Sequence, residues 1–332
     1  MPRVLNAIAL LAGVVAFAPA AHAVDRVDDI RNRGYLVCGL APDHDGFGVV
    51  SGETSAAGLD ADFCRGIAAA MFGSAPGHLR FKALETINDF LASDVDVVFH
   101  ELTWTFNREL TSGLAFGPIY FFDGQAFLAR RSVGASSAAG LPDATVCVEA
   151  RGGFVDNMIA FIQDHAPGVS IALAGPRAEE EAAFFDGECD LLTGDASELY
   201  SAARAHGGGA YMMLSDRLSK EPLTPVVRAG DDRLLDIVRW SIFATIEAEE
   251  LGATTANVDT YASWGTFGSL VDGPGAAKIG LGPDWARAII RAIGNYGEIY
   301  ERNLGASGNV GLPRGLNELW TRGGLLYSPP LQ

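Results

Sequence analysis

Asp94-Val95-Asp96-Val97-Val98-Phe99 runs without a break into His100-Glu101-Leu102-Thr103-Trp104-Thr105-Phe106-Asn107-Arg108. The first six residues read as a buried β-strand, because β-branched and aromatic side chains dominate them. The chain then opens into two threonine hydroxyls and, about a helical turn later, an arginine. A guanidinium is a planar, permanently charged fork that matches a carboxylate. Thr103 and Thr105 can donate hydroxyl hydrogens, and a helix start adds backbone N–H groups. Arg108 is therefore the leading candidate for holding a small carboxylate. The same letters also suit an N-cap threonine followed by a surface arginine, and spacing alone does not separate the two.

Working outward, strands alternate with amphipathic helices, the pattern of an α/β fold. Strands are predicted at Gly34 to Gly39, Leu79 to Ala83 and Ala126 to Arg131, with helices at Ala61 to Phe72 and Thr86 to Ala92. A second cycle follows: strand Ala144 to Val148, helix Phe154 to His165, strand Val169 to Leu173, helix Arg177 to Asp186, strand Cys189 to Thr193. It ends at Gly194-Asp195-Ala196-Ser197. The halves echo each other, with Arg108 in the polar loop of one and Asp195 in that of the other. Ligands of open α/β sheets sit beyond the carboxyl ends of strands, so two such edges facing each other would make a cleft with a cation on one wall and an anion on the other. Later segments read as an extended return at Glu221 to Val227, a long helix from Asp231 to Leu251, and one more from Trp285 to Tyr300.

Met1 to Ala23 has a short basic start, an apolar run from Ala7 to Ala18, and a small-residue Ala21-His22-Ala23 site. This reads as a cleavable export signal, residues 1–23. The balance of 24 Lys+Arg against 41 Asp+Glu gives a net charge of −17. That argues against nucleic acid and against an anionic membrane surface. Four cysteines in an exported chain allow three disulfide pairings. Cys38–Cys64 with Cys147–Cys189 is preferred, since each closes a loop inside one half. No Cys-x-x-Cys spacing occurs, and no histidine lies two to four residues from a cysteine, so no metal is expected. No nucleotide or nucleophile-elbow motif is present, and no cofactor is expected. Asp43-His44-Asp45-Gly46 is read as a turn, and His44 as a loop histidine.

Several stretches resemble one family: Gly58-Leu59-Asp60-Ala61-Asp62-Phe63-Cys64-Arg65, Thr103-Trp104-Thr105 with Arg108, Asp123-Gly124-Gln125, Thr193-Gly194-Asp195-Ala196-Ser197 and Lys220-Glu221-Pro222-Leu223. The tail adds Gly294-Asn295-Tyr296-Gly297-Glu298-Ile299-Tyr300-Glu301-Arg302-Asn303 and Leu319-Trp320-Thr321-Arg322-Gly323-Gly324. In order and over nearly the whole chain these look like the periplasmic solute-binding proteins of polar amino acid ABC transporters (extracellular family 3), most of all the general L-amino acid branch. The resemblance implies a type II periplasmic binding fold with a two-segment hinge. Lobe 1 would be 24–128 with 225–332, and lobe 2 would be 129–224. It implies an amino acid ligand, a membrane permease as partner, a monomer, and no catalytic residue. Arg108 matches the partner of the ligand carboxylate, Asp195 that of the ammonium, Thr103 a hydroxyl donor, and Phe47 an aromatic ring over the ligand. The same fold also hosts dehydratases of the cyclohexadienyl type and sensory subunits, and these two uses stay open.

Two stretches depart from the family pattern. Arg151-Gly152-Gly153 stands where relatives carry a Gly-Thr-Thr run. There the backbone N–H groups of Gly152 and Gly153, and the Arg151 cation, would have to complete the carboxylate cradle. His100-Glu101 stands where relatives carry small or polar residues. Glu101 is thereby expected near the ligand amino group or side chain, with His100 beside it, which favours a basic or polar ligand.

Overall fold

The computed structural model of the chain describes residues 25–150, 153–260, 274–308 and 310–331. The expected leader at 1–23, together with Arg151 and Gly152, lies outside the described residues. The fold is mixed α/β, with two five-stranded sheets built on one plan. The first runs in the order Leu79–Ala83, Leu36–Leu40, Val97–Phe99, Val226–Arg228, Leu114–Phe116. Its first three strands are parallel and the fourth is antiparallel to both neighbours. The second runs Val169–Gly175, Ala144–Glu149, Leu191–Asp195, Gln125–Arg130, Tyr211–Met213, again three parallel strands and an antiparallel fourth. The fourth strand of each sheet is reached only after the chain has crossed from the other lobe. The two crossings, Phe121–Asp123 and Glu221–Leu223, pair with each other as a two-stranded antiparallel ladder.

The first crossing lies earlier than expected. All of Gln125–Arg130 belongs to the second sheet, so residues 125–128 are not part of lobe 1. Gly124 marks the changeover. A Cβ there would meet the carbonyl oxygen of Ser219 at 2.5 Å, and only glycine lets the crossing chains approach so closely. The central strand is also shorter than its hydrophobic run suggests, spanning Val97–Phe99. Asp96 is fully buried ahead of it, accepts from the Val37 N–H at 2.8 Å, and is bonded by Arg33. A buried carboxylate so paired is affordable where a bare one is not.

Helix Leu59–Phe72 buries Phe63, Ile67 and Ala70 in lobe 1. Gly58 precedes it at φ 116°, and a Cβ there would lie 2.0 Å from the Phe47 carbonyl oxygen. The predicted single helix from Trp285 to Tyr300 is two helices, Trp285–Ile293 and Tyr296–Asn303. Gly294 at φ 82° ends the first, and Asn295 with Glu298 forms a reciprocal capping box on the second. The break aims the Tyr296 hydroxyl at the carbonyl oxygen of Tyr120, 2.8 Å away beside the first crossing. Asn317 clasps the same crossing from outside. Its Oδ1 accepts from Phe122 N–H at 2.7 Å, and its Nδ2 donates to Phe122 O at 3.0 Å.

The disulfides are Cys38–Cys64 and Cys147–Cys189, each within one lobe. The first straps helix Leu59–Phe72 to strand Leu36–Leu40, and the second ties Ala144–Glu149 to the entry of Leu191–Asp195. Cys147–Cys189 closes 42 residues, so chain-entropy reasoning gives it about 2–4 kcal/mol. Replacing both cysteines by serine should lower urea-unfolding stability by about that amount. The protein unfolded without reductant should show no reactive thiol.

Candidate functional site

A cavity of about 720 Å³ opens between the lobes. Its walls are the segments that leave the carboxyl ends of strands in both sheets, as expected for ligand sites in open α/β sheets. Lobe 1 contributes His44, His100, Glu101, Thr103 and Arg108. Lobe 2 contributes Gly153, Asn157, Asp195, Ser197 and Glu198, and the crossings add Asp123, Lys220 and Glu221. Among the described residues, five carboxylates thus face two permanent cations, Arg108 and Lys220.

Thr105 is the N-cap of helix Phe106–Thr111 and accepts from the Arg108 N–H at 3.3 Å. The Arg108 side chain folds back to the cavity, where Nη1 donates to the carbonyl oxygen of Thr103 at 2.8 Å. That bond fixes the fork at the lobe 1 wall while leaving its other N–H donors for a ligand. Thr103 is positioned by pairing with Leu223. Its hydroxyl faces Glu221 Oε2 at 3.4 Å, so a ligand carboxylate would have to compete for that donor. Asp195 ends strand Leu191–Asp195, pairs with Gln125, and stands at the N-cap of helix Ala196–Ala205 on the opposite lobe. Gly153 is the N-cap of helix Phe154–Asp164 and turns its start towards the cavity. Gln125 holds this wall together: its Nε2 donates to Phe154 O at 3.1 Å and its Oε1 accepts from Asn157 Nδ2 at 3.0 Å.

Phe47 does not cover the cavity. It is fully buried and stacks edge-on against Phe121, ring centroids 5.0 Å apart. A wholly apolar ring gains more from the core than from a polar cleft. His44, three residues earlier on the short strand Asp43–His44, takes the cavity position instead. Its Nδ1 lies 2.7 Å from Glu101 Oε2, and its Nε2 lies 4.0 Å from Glu198 of the other lobe. Arg177 is bonded to Glu198 behind it. His100 lines the wall but spends Nε2 on the Leu84 carbonyl oxygen at 2.9 Å. The sequence carries no local signal for the His44–Glu101 pair, which spans 57 residues.

Burial alone would lower the pKa of His44, but the Glu101 carboxylate at its side outweighs that and raises it above 6.5. Asp60, at the N-terminus of helix Leu59–Phe72, is fully buried. Burial first, and Glu101 second, push its carboxyl well above the usual range. Two carboxyls in so dry a place do not both ionise cheaply. The His44–Glu101 ion pair therefore stabilises the fold below the unfolded histidine pKa, and its contribution is lost as pH rises through the raised folded value. NMR titration should place the His44 imidazole above 6.5, and Glu101→Gln should bring it down to 6.5 or lower. An unmoved value would dissolve the pair.

No protein-family model matches the chain. It is 34% identical, over all of both chains, to the general L-amino acid-binding periplasmic protein AapJ of Rhizobium johnstonii. It is 39% identical to the glutamate/glutamine/aspartate/asparagine-binding protein BztA of Rhodobacter capsulatus, over 97% of each chain. Among solved structures, a periplasmic binding protein of an ABC transporter from Brucella ovis with glutathione bound superposes with a TM-score of 0.80. That structure is 34% identical, and the match covers 93% of this chain and 100% of the other. With identity at this level over the full length, and two lobes flanking a shared cleft, the chain belongs to the periplasmic amino-acid-binding proteins of ABC transporters.

Proposed function

We propose that the cleft captures a zwitterionic L-amino acid, with Arg108 taking its carboxylate and Asp195 its ammonium. The lobes close over the ligand, and the closed monomer delivers it from the periplasm to an ABC importer permease. The lobes in this reading are 25–120 with 224–331, and 125–218, joined at the two crossings. One observation carries it: Arg108 and Asp195 enter one cavity from opposite lobes, each beside the carboxyl end of a central strand. A ligand bridging the two gains most when the lobes are closed, so it selects that state. The family membership supports a binding role over a catalytic one, as do the binding roles that AapJ and BztA are named for.

The Brucella ovis complex favours a second reading with the same head group. Glutathione presents a free α-amino acid at its γ-glutamyl end, and a cavity of about 720 Å³ has room beyond a single amino acid. Arg108 and Asp195 would hold that end in the same way.

Thermal-shift screening against the twenty amino acids and glutathione tests both readings, because a ligand bound only to the folded state must raise Tm. Arg108→Ala should weaken every α-carboxylate ligand by at least about tenfold, the equivalent of one lost charge-assisted bond. Asp195→Asn should cost a similar factor for ligands with a free ammonium. Near-normal calorimetric affinity in both variants would refute the assignment.

A further inference from the structure

Glu101 stands apart from the other acids of the cleft. Its backbone lies at φ 42°, the one positive value among the described non-glycine residues. Side chains rarely adopt that region, and where they do the strain tends to mark a functional position. The turn comes immediately beyond strand Val97–Phe99 and sends the carboxyl along the lobe 1 wall. Oε2 meets His44 Nδ1 at 2.7 Å, and the carboxyl also lies against that of buried Asp60. Asp60 lies behind, fully buried, its carboxyl against the Tyr120 hydroxyl and the Glu101 carboxyl. Of this buried acid cluster, Glu101 is the member that lines the cavity.

The remaining acids are committed. Asp123 accepts from Ser197 and from the Gly124 N–H at 2.8 Å. Glu221 accepts from Ser219 at 2.8 Å and faces Thr103. Glu198 is paired with Arg177, and Asp195 is assigned above to the ligand ammonium. Glu101 is held at 2.7 Å by His44, a side chain that can give up its charge near neutrality, whereas Glu198, 4.0 Å from the same ring, has Arg177 as its permanent partner.

We propose that Glu101 is the specificity-determining residue of the cleft: it receives the second cationic group of a basic amino acid, and His44 is the counterion which that group displaces. This rests on the capture reading above. The groups facing His44 are Glu101 and Asp60 on its own lobe, and Glu198 with Arg177 on the other. The acids favour the imidazolium and Arg177 opposes it. At low pH the imidazolium holds Glu101 and competes with the ligand cation. As pH rises through the elevated His44 value, the imidazole becomes neutral and the carboxylate is released to the ligand. Lysine and arginine stay charged throughout, so the change belongs to the protein.

The test is calorimetry of the purified protein with L-arginine, L-lysine, L-glutamine, L-glutamate and glutathione, at about pH 5.5 and about pH 8, either side of the histidine range. In the unmodified protein, affinity for arginine or lysine relative to glutamine should rise about tenfold between the two. His44→Gln should show the higher ratio at both pH values. Glu101→Gln, with its fold checked by circular dichroism, should lose about tenfold of the ratio at pH 8 and lose the pH response. A ratio that ignores pH in the unmodified protein, or a cation preference that survives in Glu101→Gln, overturns the inference. Binding of glutamine, glutamate or glutathione with neither cation bound also overturns it, and leaves the capture reading standing. If no ligand binds at all, both fall.

Discussion

The two lobes are carried by a short antiparallel ladder in which Glu221 faces Asp123, Pro222 faces Phe122 and Leu223 faces Phe121. Every feature of the cleft depends on it. Because the crossings pair with each other, the chain enters each sheet from the same side, and the carboxyl ends of both sets of parallel strands open onto one space. Thr103 is set against Leu223, and Trp104 N–H donates to Pro222 O at 2.9 Å, so the segment leading to Arg108 is hung directly on the hinge. Asp123 reaches Ser197 at the start of the Asp195 helix. The ladder thus fixes how the segments carrying Arg108 and Asp195 approach the cavity.

The hinge is also braced from behind. Tyr296 bonds Tyr120, Asn317 bonds both backbone groups of Phe122, and Phe121 stacks on Tyr300 at 6.3 Å. Arg314 joins this block, bonding Glu249 at 3.1 and 3.2 Å and lying over the Tyr296 and Tyr300 rings. The last segment of the chain therefore acts on the crossing backbone without touching the cavity side of the cleft.

Much of this was legible in the chain. The alternation of strands and amphipathic helices is strong because both sheets are covered by helices, so periodicity and burial agree. Helix Arg177–Asp186 has the limits its sequence announces, with Pro176 before it and Gly187 after it. Arg108 and Asp195 could be named because each stands just past a hydrophobic strand. The misses have physical causes. Phe47 was placed over the ligand by resemblance, but the loop around Gly46 and Gly58 turns the ring into the core and leaves His44 at the surface. The break at Gly294-Asn295 was written in the letters, as a capping asparagine three residues before Glu298, and the apolar periodicity on both sides hid it. The Asp60, Glu101 and His44 cluster had no local signature, since its members come from three separate loops and helix starts.

The account stands on opposite charges of the ligand being gripped by opposite lobes. A crystal structure of the protein with its tightest amino acid or peptide ligand measures that directly. It should show the α-carboxylate within hydrogen-bond reach of the Arg108 guanidinium, and the α-ammonium within reach of the Asp195 carboxylate, in a cleft closed about the hinge. A ligand held by one lobe alone, or with its head group turned away from both side chains, would contradict it.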